Sequence, residues 1–386
     1  MHGGERGLKI GLVAGESSGD QLGAALITAI RARIPDARFF GVAGPKMQAL
    51  GCEVWAPADE LAVMGITEIL HHLPRLLRLR RSLVQRFQAE RPDVFVGIDS
   101  PEFNLGLATR LKASGLRTVQ YVSPQVWAWR QGRVRTIGRA CDLVLCLLPF
   151  ETEFYARWGV RAVFVGHPLA DQIPLDVDRE GARRVLGLDP SALFVALLPG
   201  SRMGEVEKLG ADFISAAQWL RTQRPDAHFI APMASAKVRA TFERFMREKG
   251  ETAIRLVDGQ AQRVLAAANV VLTASGTATL ETMLSRRPMV VAYRLGAVTA
   301  FMLRQLGLVK VPYFSQPNLL VGRRLVPEFF QEGVTGEALG AALLHELEDP
   351  AHLRELEQEF RRAHESLRLG GAERAAEAIL ECIAGG

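Results

Sequence analysis

Lys9-Ile10-Gly11-Leu12-Val13-Ala14-Gly15-Glu16-Ser17-Ser18-Gly19-Asp20, followed by Gly23, is a strand, a glycine turn and the start of a helix in one short stretch. Lys9 to Ala14 is an apolar run bounded by glycine, the mark of a buried strand, and the amphipathic stretch near Asp20 to Ile34 has helical spacing. The same alternation recurs along the chain. Apolar runs at Arg38 to Ala43, Val94 to Ile98, Thr118 to Val122, Leu143 to Leu147 and Ala162 to Val165 are separated by helical segments near Pro74 to Ala89 and Leu105 to Ala113. It restarts at Ala192 to Leu198 and continues at His228 to Pro232, Ile254 to Val257, Val270 to Thr273 and Met289 to Tyr293. Repeated βα units build a parallel sheet covered on both sides by helices, so the expected fold is α/β and doubly wound, once in each half.

Gly166 to Arg179 holds Pro168, Pro174 and several acids, and is expected to be the linker. The expected division is residues 1–170, residues 171–350, and a helical, charged tail over 351–386. With 386 residues, two domains are the starting expectation. Apolar residues make up 48% and charged residues 23%, which excludes a disordered or collagen-like chain. The 47 basic and 42 acidic residues leave +5, too mild to imply a nucleic-acid partner. Cys52, Cys141, Cys146 and Cys382 lack zinc-ligand spacing, and Met1 to Lys9 has no apolar signal core, so a reducing cytoplasm is expected. No run of about 20 uncharged apolar residues is present, which makes any membrane contact peripheral.

In open α/β sheets ligands bind beyond the carboxyl ends of the strands, so the loops there are the candidate sites. After the first strand, Gly15 to Gly19 opens a helix whose free N–H groups suit an anion or a sugar hydroxyl, or simply forms a capped turn. It is not a dinucleotide fingerprint, because the glycine spacing is wrong and Glu16 would repel a pyrophosphate. Val94 to Ile98 ends in Asp99-Ser100-Pro101-Glu102-Phe103-Asn104, where Asp99 is either a general base or a helix cap. Thr118 to Val122 runs into Ser123-Pro124-Gln125-Val126-Trp127-Ala128-Trp129-Arg130, whose tryptophans either stack on a ligand or pack in a core.

In the second half, Pro199-Gly200-Ser201-Arg202 and Ala274-Ser275-Gly276-Thr277-Ala278-Thr279-Leu280-Glu281 follow strands. Glycine and hydroxyl residues at a helix start, with Arg202, suit a diphosphate, and Glu281 suits ribose hydroxyls. Asp176-Val177-Asp178 has the spacing of a diphosphate-bound metal but lies in the linker, so it is taken as solvated charge, and no metal site is expected. His167, in Gly166-His167-Pro168, either reaches a cleft or packs the crossover. Leu61 to Pro74 is apolar and precedes Arg75, Arg78, Arg80 and Arg81, which fits a membrane-docking surface or a core-facing helix with a basic side.

These motifs, together with Gln316-Pro317-Asn318-Leu319-Leu320, resemble the lipid-A-disaccharide synthase family over nearly the whole chain. The resemblance implies a GT-B fold of two Rossmann-like domains facing across a cleft, with the nucleotide held mainly by the second. It implies an inverting, cofactor-free and metal-independent transfer from UDP-2,3-diacylglucosamine to 2,3-diacylglucosamine 1-phosphate (lipid X), giving the β-1,6-linked lipid A disaccharide 1-phosphate and UDP. Laid onto this sequence it makes Asp99 the base, with Glu16 next in line and Ser17 beside it. Arg202, Ser275, Gly276, Thr277, Glu281 and Asn318 are then substrate-binding residues. Val63, Met64, Ile66, Ile69, Leu70, Leu73, Arg78, Arg80 and Arg81 become the surface for acyl chains and anionic lipid at the cytoplasmic face of the inner membrane. The terminal helices are expected to pack on the first domain or on a second copy in a homodimer. The alternatives are another GT-B enzyme, such as a non-lipid UDP-sugar transferase or a UDP-N-acetylglucosamine 2-epimerase, and a non-catalytic binding protein.

Overall fold

The computed structural model describes residues 7–61, 66–127, 131–296 and 312–385, without the side chains of 66–72. The chain divides into two compact units, residues 1–171 with 367–386, and residues 172–366.

In the first unit the elements run β1 (Lys9–Ala14), α1 (Ser17–Arg31), β2 (Arg38–Ala43), α2 (Pro45–Ala49), β3 (Glu53–Pro57), α3 (Ile66–Glu90), β4 (Val94–Ile98) and α4 (Pro101–Ala113). They continue with β5 (Thr118–Tyr121), α5 (Val134–Ala140), β6 (Leu143–Cys146), α6 (Pro149–Ala156), β7 (Ala162–Phe164) and α7 (Pro168–Gln172). The seven strands lie in the order β3-β2-β1-β4-β5-β6-β7, and each neighbouring pair is parallel. Strand order reverses between β1 and β4, so the loops after these two strands flank the switch point of the sheet, where such folds bind ligands.

The second unit runs α8 (Arg179–Leu186), β8 (Leu193–Leu198), α9 (Met203–Gln223), β9 (Ala227–Met233), α10 (Ala236–Glu248), β10 (Ile254–Asp258), α11 (Ala261–Ala267) and β11 (Val270–Ala274). After these come α12 (Thr277–Leu284), β12 (Met289–Tyr293), α13 (Gln316–Val321), β13 (Glu328–Phe330), α14 (Gly336–Glu348) and α15 (Pro350–Leu367). Its parallel sheet has the order β10-β9-β8-β11-β12-β13, with the switch between β8 and β11. The fold is α/β with two Rossmann-like units.

Two strands escape the sequence pattern. Both β3 and β13 are short edge strands with mixed exposure, too brief to show a buried run. The helix expected from Pro74 begins at Ile66 and carries Pro74 inside it. Proline is favoured at a first turn, which suggested a start there, and the helix tolerates it at the cost of one backbone hydrogen bond. The tail also divides: α15 belongs mostly with the second unit, whereas α16 (Gly371–Ala384) places Ala375, Ala376, Ile379 and Cys382 in the first unit's core. That core also holds Ile10, Leu12, Val96 and Ile98, from the strands that carry the switch-point loops.

Candidate active site

Ile98 is the last residue of β4, and the two residues after it leave the strand in the left-handed region, Asp99 at φ +58 and Ser100 at φ +38. For non-glycine residues this conformation costs on the order of 1 kcal/mol each and needs outside support. Two fully buried amides give it. Asn104 donates Nδ2 to the carbonyls of Asp99, Ile98 and Val13 at 2.9, 3.2 and 3.3 Å. Gln120, on β5, donates Nε2 to the carbonyl of Asp99 at 3.1 Å and to those of Tyr121 and Val122 at 3.3 Å. The Asp99 carboxylate, half-buried, accepts from the Ser100 amide at 2.5 Å and from Ser18 Oγ at 3.2 Å. Ser18 lies in the first turn of α1, beside exposed Glu16 and Ser17, so the structure gathers Glu16, Ser17 and Asp99 at one switch point. Gly15 is required there: a Cβ on it would stand 1.9 Å from Ser100 Oγ.

In the second unit the loops after β8 and β11 flank the other switch point. Arg202 is exposed, and its guanidinium has no hydrogen bond or ion pair among the described residues. The amides of Ser201 and Arg202 are not open, however. Glu205 Oε2 accepts from both, at 3.0 and 3.3 Å, and fills the anion position at the start of α9 with a carboxylate of the chain itself. The start of α12 differs, because no carboxylate of the described residues caps Gly276 and Thr277, and both are exposed. Ser275 Oγ donates to the carbonyl of Phe314 at 3.0 Å, so it ties the loop before α13 instead of standing free. One turn into α12, the half-buried Glu281 carboxyl has no partner among the described residues, and burial raises its pKa. An unpartnered, partly desolvated carboxyl suits a pair of sugar hydroxyls.

Asn318 is turned into the protein. It is fully buried; Nδ2 donates to the Val326 carbonyl and to Glu328 Oε1, both at 2.9 Å, while Oδ1 accepts from the amides of Leu325 and Val326 at 2.7 and 2.9 Å. All of its hydrogen-bonding capacity is used within the chain, which makes it a clamp on the segment from Leu325 to Glu328. Through Asn318, Glu328 is held where it accepts from the amides of Ser315 at 2.8 Å and Phe314 at 3.2 Å, fixing the loop that Ser275 ties.

Against these sites stand three comparisons. The sequence model of lipid-A-disaccharide synthetase matches residues 10–382. The lipid-A-disaccharide synthase of Serratia proteamaculans is 52% identical over 97% of this chain and 98% of its own. That of Alkalilimnicola ehrlichii is 53% identical over 98% and 99%. The chain belongs to the lipid-A-disaccharide synthase family. It is therefore a glycosyltransferase of lipid A disaccharide synthesis. Among solved structures, a UDP-GlcNAc 2-epimerase of Neisseria meningitidis aligns over 98% of this chain and 100% of its own, with a TM-score of 0.66 and 10% identity. A calicheamicin glycosyltransferase aligns over 98% and 99%, with a TM-score of 0.61 and 16% identity. These share the GT-B fold and say nothing about substrate. Epimerase and transferase are told apart by the family match, not by the fold.

For a lipid-A-disaccharide synthase the placement of the remaining expected residues matters. Trp127 is buried; its Nε1 donates to Glu151 Oε1 at 3.1 Å and its ring meets Phe150 edge-on, so it packs instead of presenting a stacking face. Trp129 lies outside the described residues. Asp176 is exposed and pairs with Arg286 and Arg361 at 3.2 and 3.0 Å, and Asp178 caps α8 through Gly181 N at 2.8 Å. The Asp-x-Asp is thus exposed charge, as expected, with Asp176 in surface ion pairs and Asp178 capping a helix. His167 is half-buried, and the desolvation of its ring pushes its pKa down to about 4 and keeps it neutral.

Of the expected lipid-facing residues, Val63, Met64 and the side chains of Ile66, Ile69 and Leu70 lie outside the described residues. Leu73 and Leu77 are exposed, as are Arg78 and Arg81. Arg80 is not on that surface. Its guanidinium lies 5.0 Å from the Phe103 ring, donates to the Glu102 carbonyl at 3.2 Å, and is held below the usual arginine range by burial and by Arg110.

Sequence reasoning missed Gln120, Glu328 and Glu151, and gave Asn104 and Glu205, each beside a motif, no task. A lone amide inside the apolar run Thr118 to Val122 was the available signal for Gln120, since a buried amide must find partners.

Proposed function

We propose that the enzyme transfers 2,3-diacylglucosamine from UDP-2,3-diacylglucosamine to the 6-hydroxyl of 2,3-diacylglucosamine 1-phosphate, with inversion to a β-1,6 bond. Asp99 takes the hydroxyl proton as the oxygen attacks the anomeric carbon; the bond from that carbon to the diphosphate breaks, and UDP departs with the electron pair. The carrying observation is the Asp99 carboxylate, held at the switch point by Ser18 and the Ser100 amide on a backbone clamped by Asn104 and Gln120. Glu16 and Ser17 stand beside it to orient the acceptor sugar.

The second unit binds the donor nucleotide. Arg202 and the open start of α12 at Gly276 and Thr277 meet the diphosphate charge, and Glu281 accepts the ribose hydroxyls. Asn318 and Ser275 act one step back, by holding the 314–315 loop. This arrangement meets the leaving group's charge with fixed donors and calls for no metal. The acyl chains of both substrates reside in a membrane, so we assign Leu73, Leu77, Arg78 and Arg81 to peripheral docking on the cytoplasmic face of the inner membrane. No helix among the described residues is long and apolar enough to cross one.

Asp99→Asn keeps the shape and removes the base. The expected result is loss of acceptor-dependent UDP release by at least a hundredfold with UDP affinity unchanged, in EDTA as without it. Near-normal turnover would move the base to Glu16.

A further inference from the structure

The second unit has a cavity of ≈ 520 Å³ at the amino ends of its strands, opposite the ends that carry the motif loops. Leu193, the first residue of β8, Asn269, just before β11, and Pro288, just before β12, line it. The length of β11, roughly 17 Å, separates it from the start of α12. Its volume is that of a small-ligand site, yet its wall is polar and charged.

Four arginines line this wall; Arg224 is paired with Asp226 and Glu348, which leaves Arg179, Arg286 and Arg287 to consider. Arg287 is buried and donates to the carbonyls of Leu265 and Ala266 at 3.2 and 2.8 Å, with no carboxylate within ion-pair distance among the described residues. Arg179 is half-buried and has neither a hydrogen bond nor an ion pair among the described residues. Arg286 pairs with Asp176 at 3.2 Å through one terminal nitrogen and with Glu357 at 4.0 Å through the other, but its Nε is buried without a partner. On the same wall Glu346 is 2% exposed; its Oε1 lies 3.3 Å from His352 Nε2, and its Oε2 is buried with no partner. One cavity therefore holds two orphaned buried polar atoms, one on a cation and one on a carboxyl.

Like charges crowded in this way are costly unless an anion joins them. The neighbours act on one another as that predicts: burial, then Arg179, Arg183 and Arg286, bring Arg287 down to about 9. Burial, helped by Asp349, lifts Glu346 to about 8, so it is largely uncharged at neutral pH and leaves Arg179 and Arg287 without a compensating carboxylate among the described residues, whereas Arg286 keeps Asp176 and Glu357. A carboxyl in that state both donates to and accepts from a hydroxyl.

We propose that this cavity binds a small phosphate ester carrying hydroxyl groups, such as a sugar phosphate, with Arg179, Arg286 and Arg287 on the phosphate and Glu346 on a hydroxyl. Guanidinium forks match phosphate oxygens in geometry as well as charge. The site is separate from the donor site and does not depend on the assignment of Asp99 or Arg202.

The test is calorimetric titration of the full chain with glucose 6-phosphate and with inorganic phosphate, UDP being present at saturation so that the loops of β8 and β11 do not compete. Both probes are expected to bind one site per chain, the sugar phosphate more tightly. R179Q breaks no hydrogen bond or ion pair of the described residues, so it should fold, and it is expected to weaken both probes at least tenfold. E346Q is expected to weaken glucose 6-phosphate severalfold and leave phosphate within twofold. R202A should leave both titrations unchanged. Absence of saturable binding to the unaltered chain, or R179Q binding as tightly as it, would overturn the site. Equal effects of E346Q on the two probes would overturn the hydroxyl contact.

Discussion

Asn104 donates Nδ2 to the backbone carbonyl of Asp99 at 2.9 Å, and thereby fixes the left-handed turn that aims the Asp99 carboxylate. The same nitrogen reaches the carbonyls of Val13 and Ile98, so one buried amide ties the ends of β1 and β4 together at the switch point.

Asn104→Ala removes its hydrogen bonds to all three carbonyls and leaves the Asp99 carbonyl to Gln120 alone, which costs on the order of 3 kcal/mol of stability. Displacement of a catalytic group by about 1 Å costs roughly a hundredfold in rate. The expected signature is a fall of kcat by about that factor with the UDP Kd unchanged. A loss of stability alone, with kcat intact at a temperature where the variant is folded, would show that the clamp does not position Asp99.

Glu205 occupies the amides of Ser201 and Arg202 at the start of α9, beside the free guanidinium of Arg202. A diphosphate approaching Arg202 meets that carboxylate as a like charge. Glu205→Gln keeps an acceptor for the amides and removes the charge. UDP is expected to bind roughly fivefold more tightly, while helix stability falls by about 0.5 kcal/mol. Titration calorimetry and thermal melts measure the two effects, and weaker UDP binding in E205Q would mean that the diphosphate lies elsewhere.

Burial raises the pKa of Glu151 from 4.5 to about 7, against hydrogen bonds from the Leu148 amide, Ser123 and Trp127 that pull it down. A carboxyl with a raised folded pKa holds its proton more tightly in the folded chain. Stability is therefore lost as pH rises from about 4.5 to about 7 and levels off above. The shift corresponds to a penalty on the order of 3 kcal/mol above that range. Because Trp127 Nε1 donates to Glu151 Oε1, the indole N–H resonance of Trp127 should titrate near pH 7. E151Q should abolish that titration and make the loss of stability across the same window shallower, leaving the share that Glu346 contributes; an indole signal that still moves near pH 7 would assign the transition to another group.

The sequence pattern reaches far because both sheets are parallel and buried. Runs such as Val94 to Ile98 and Val270 to Ala274 are fully buried and read as continuous apolar stretches ending in polar loops. That placed Glu16, Asp99, Arg202 and Gly276 at strand ends, and the strand order then puts those ends at the two switch points. The tasks of Asn104, Gln120 and Glu328 were not legible, because each recognises backbone or amide groups that only strand pairing brings within reach. Gln120 meets the Asp99 carbonyl because β5 lies beside β4, a fact of topology and not of spacing. The clamp that Asn318 makes was not legible for the same reason: its partners, Leu325 to Glu328, are near in sequence, but nothing in the pattern shows that they close around it.

The arginines of α3 separate into two kinds, and this makes the docking surface testable. Arg78 and Arg81 are exposed near Leu73 and Leu77, whereas Arg80 packs over Phe103 and donates to the Glu102 carbonyl. A basic residue near an anionic membrane contributes about 1 kcal/mol. The double change of Arg78 and Arg81 to Ser is then expected to weaken binding to phosphatidylglycerol vesicles roughly thirtyfold, while UDP affinity and melting temperature stay the same. Arg80→Ser should do the reverse, lowering the melting temperature through loss of its stacking and hydrogen bond and leaving vesicle binding nearly untouched. Flotation of the three proteins separates these outcomes. If the Arg78 and Arg81 variant floats like the unaltered chain, the docking surface is not on this helix.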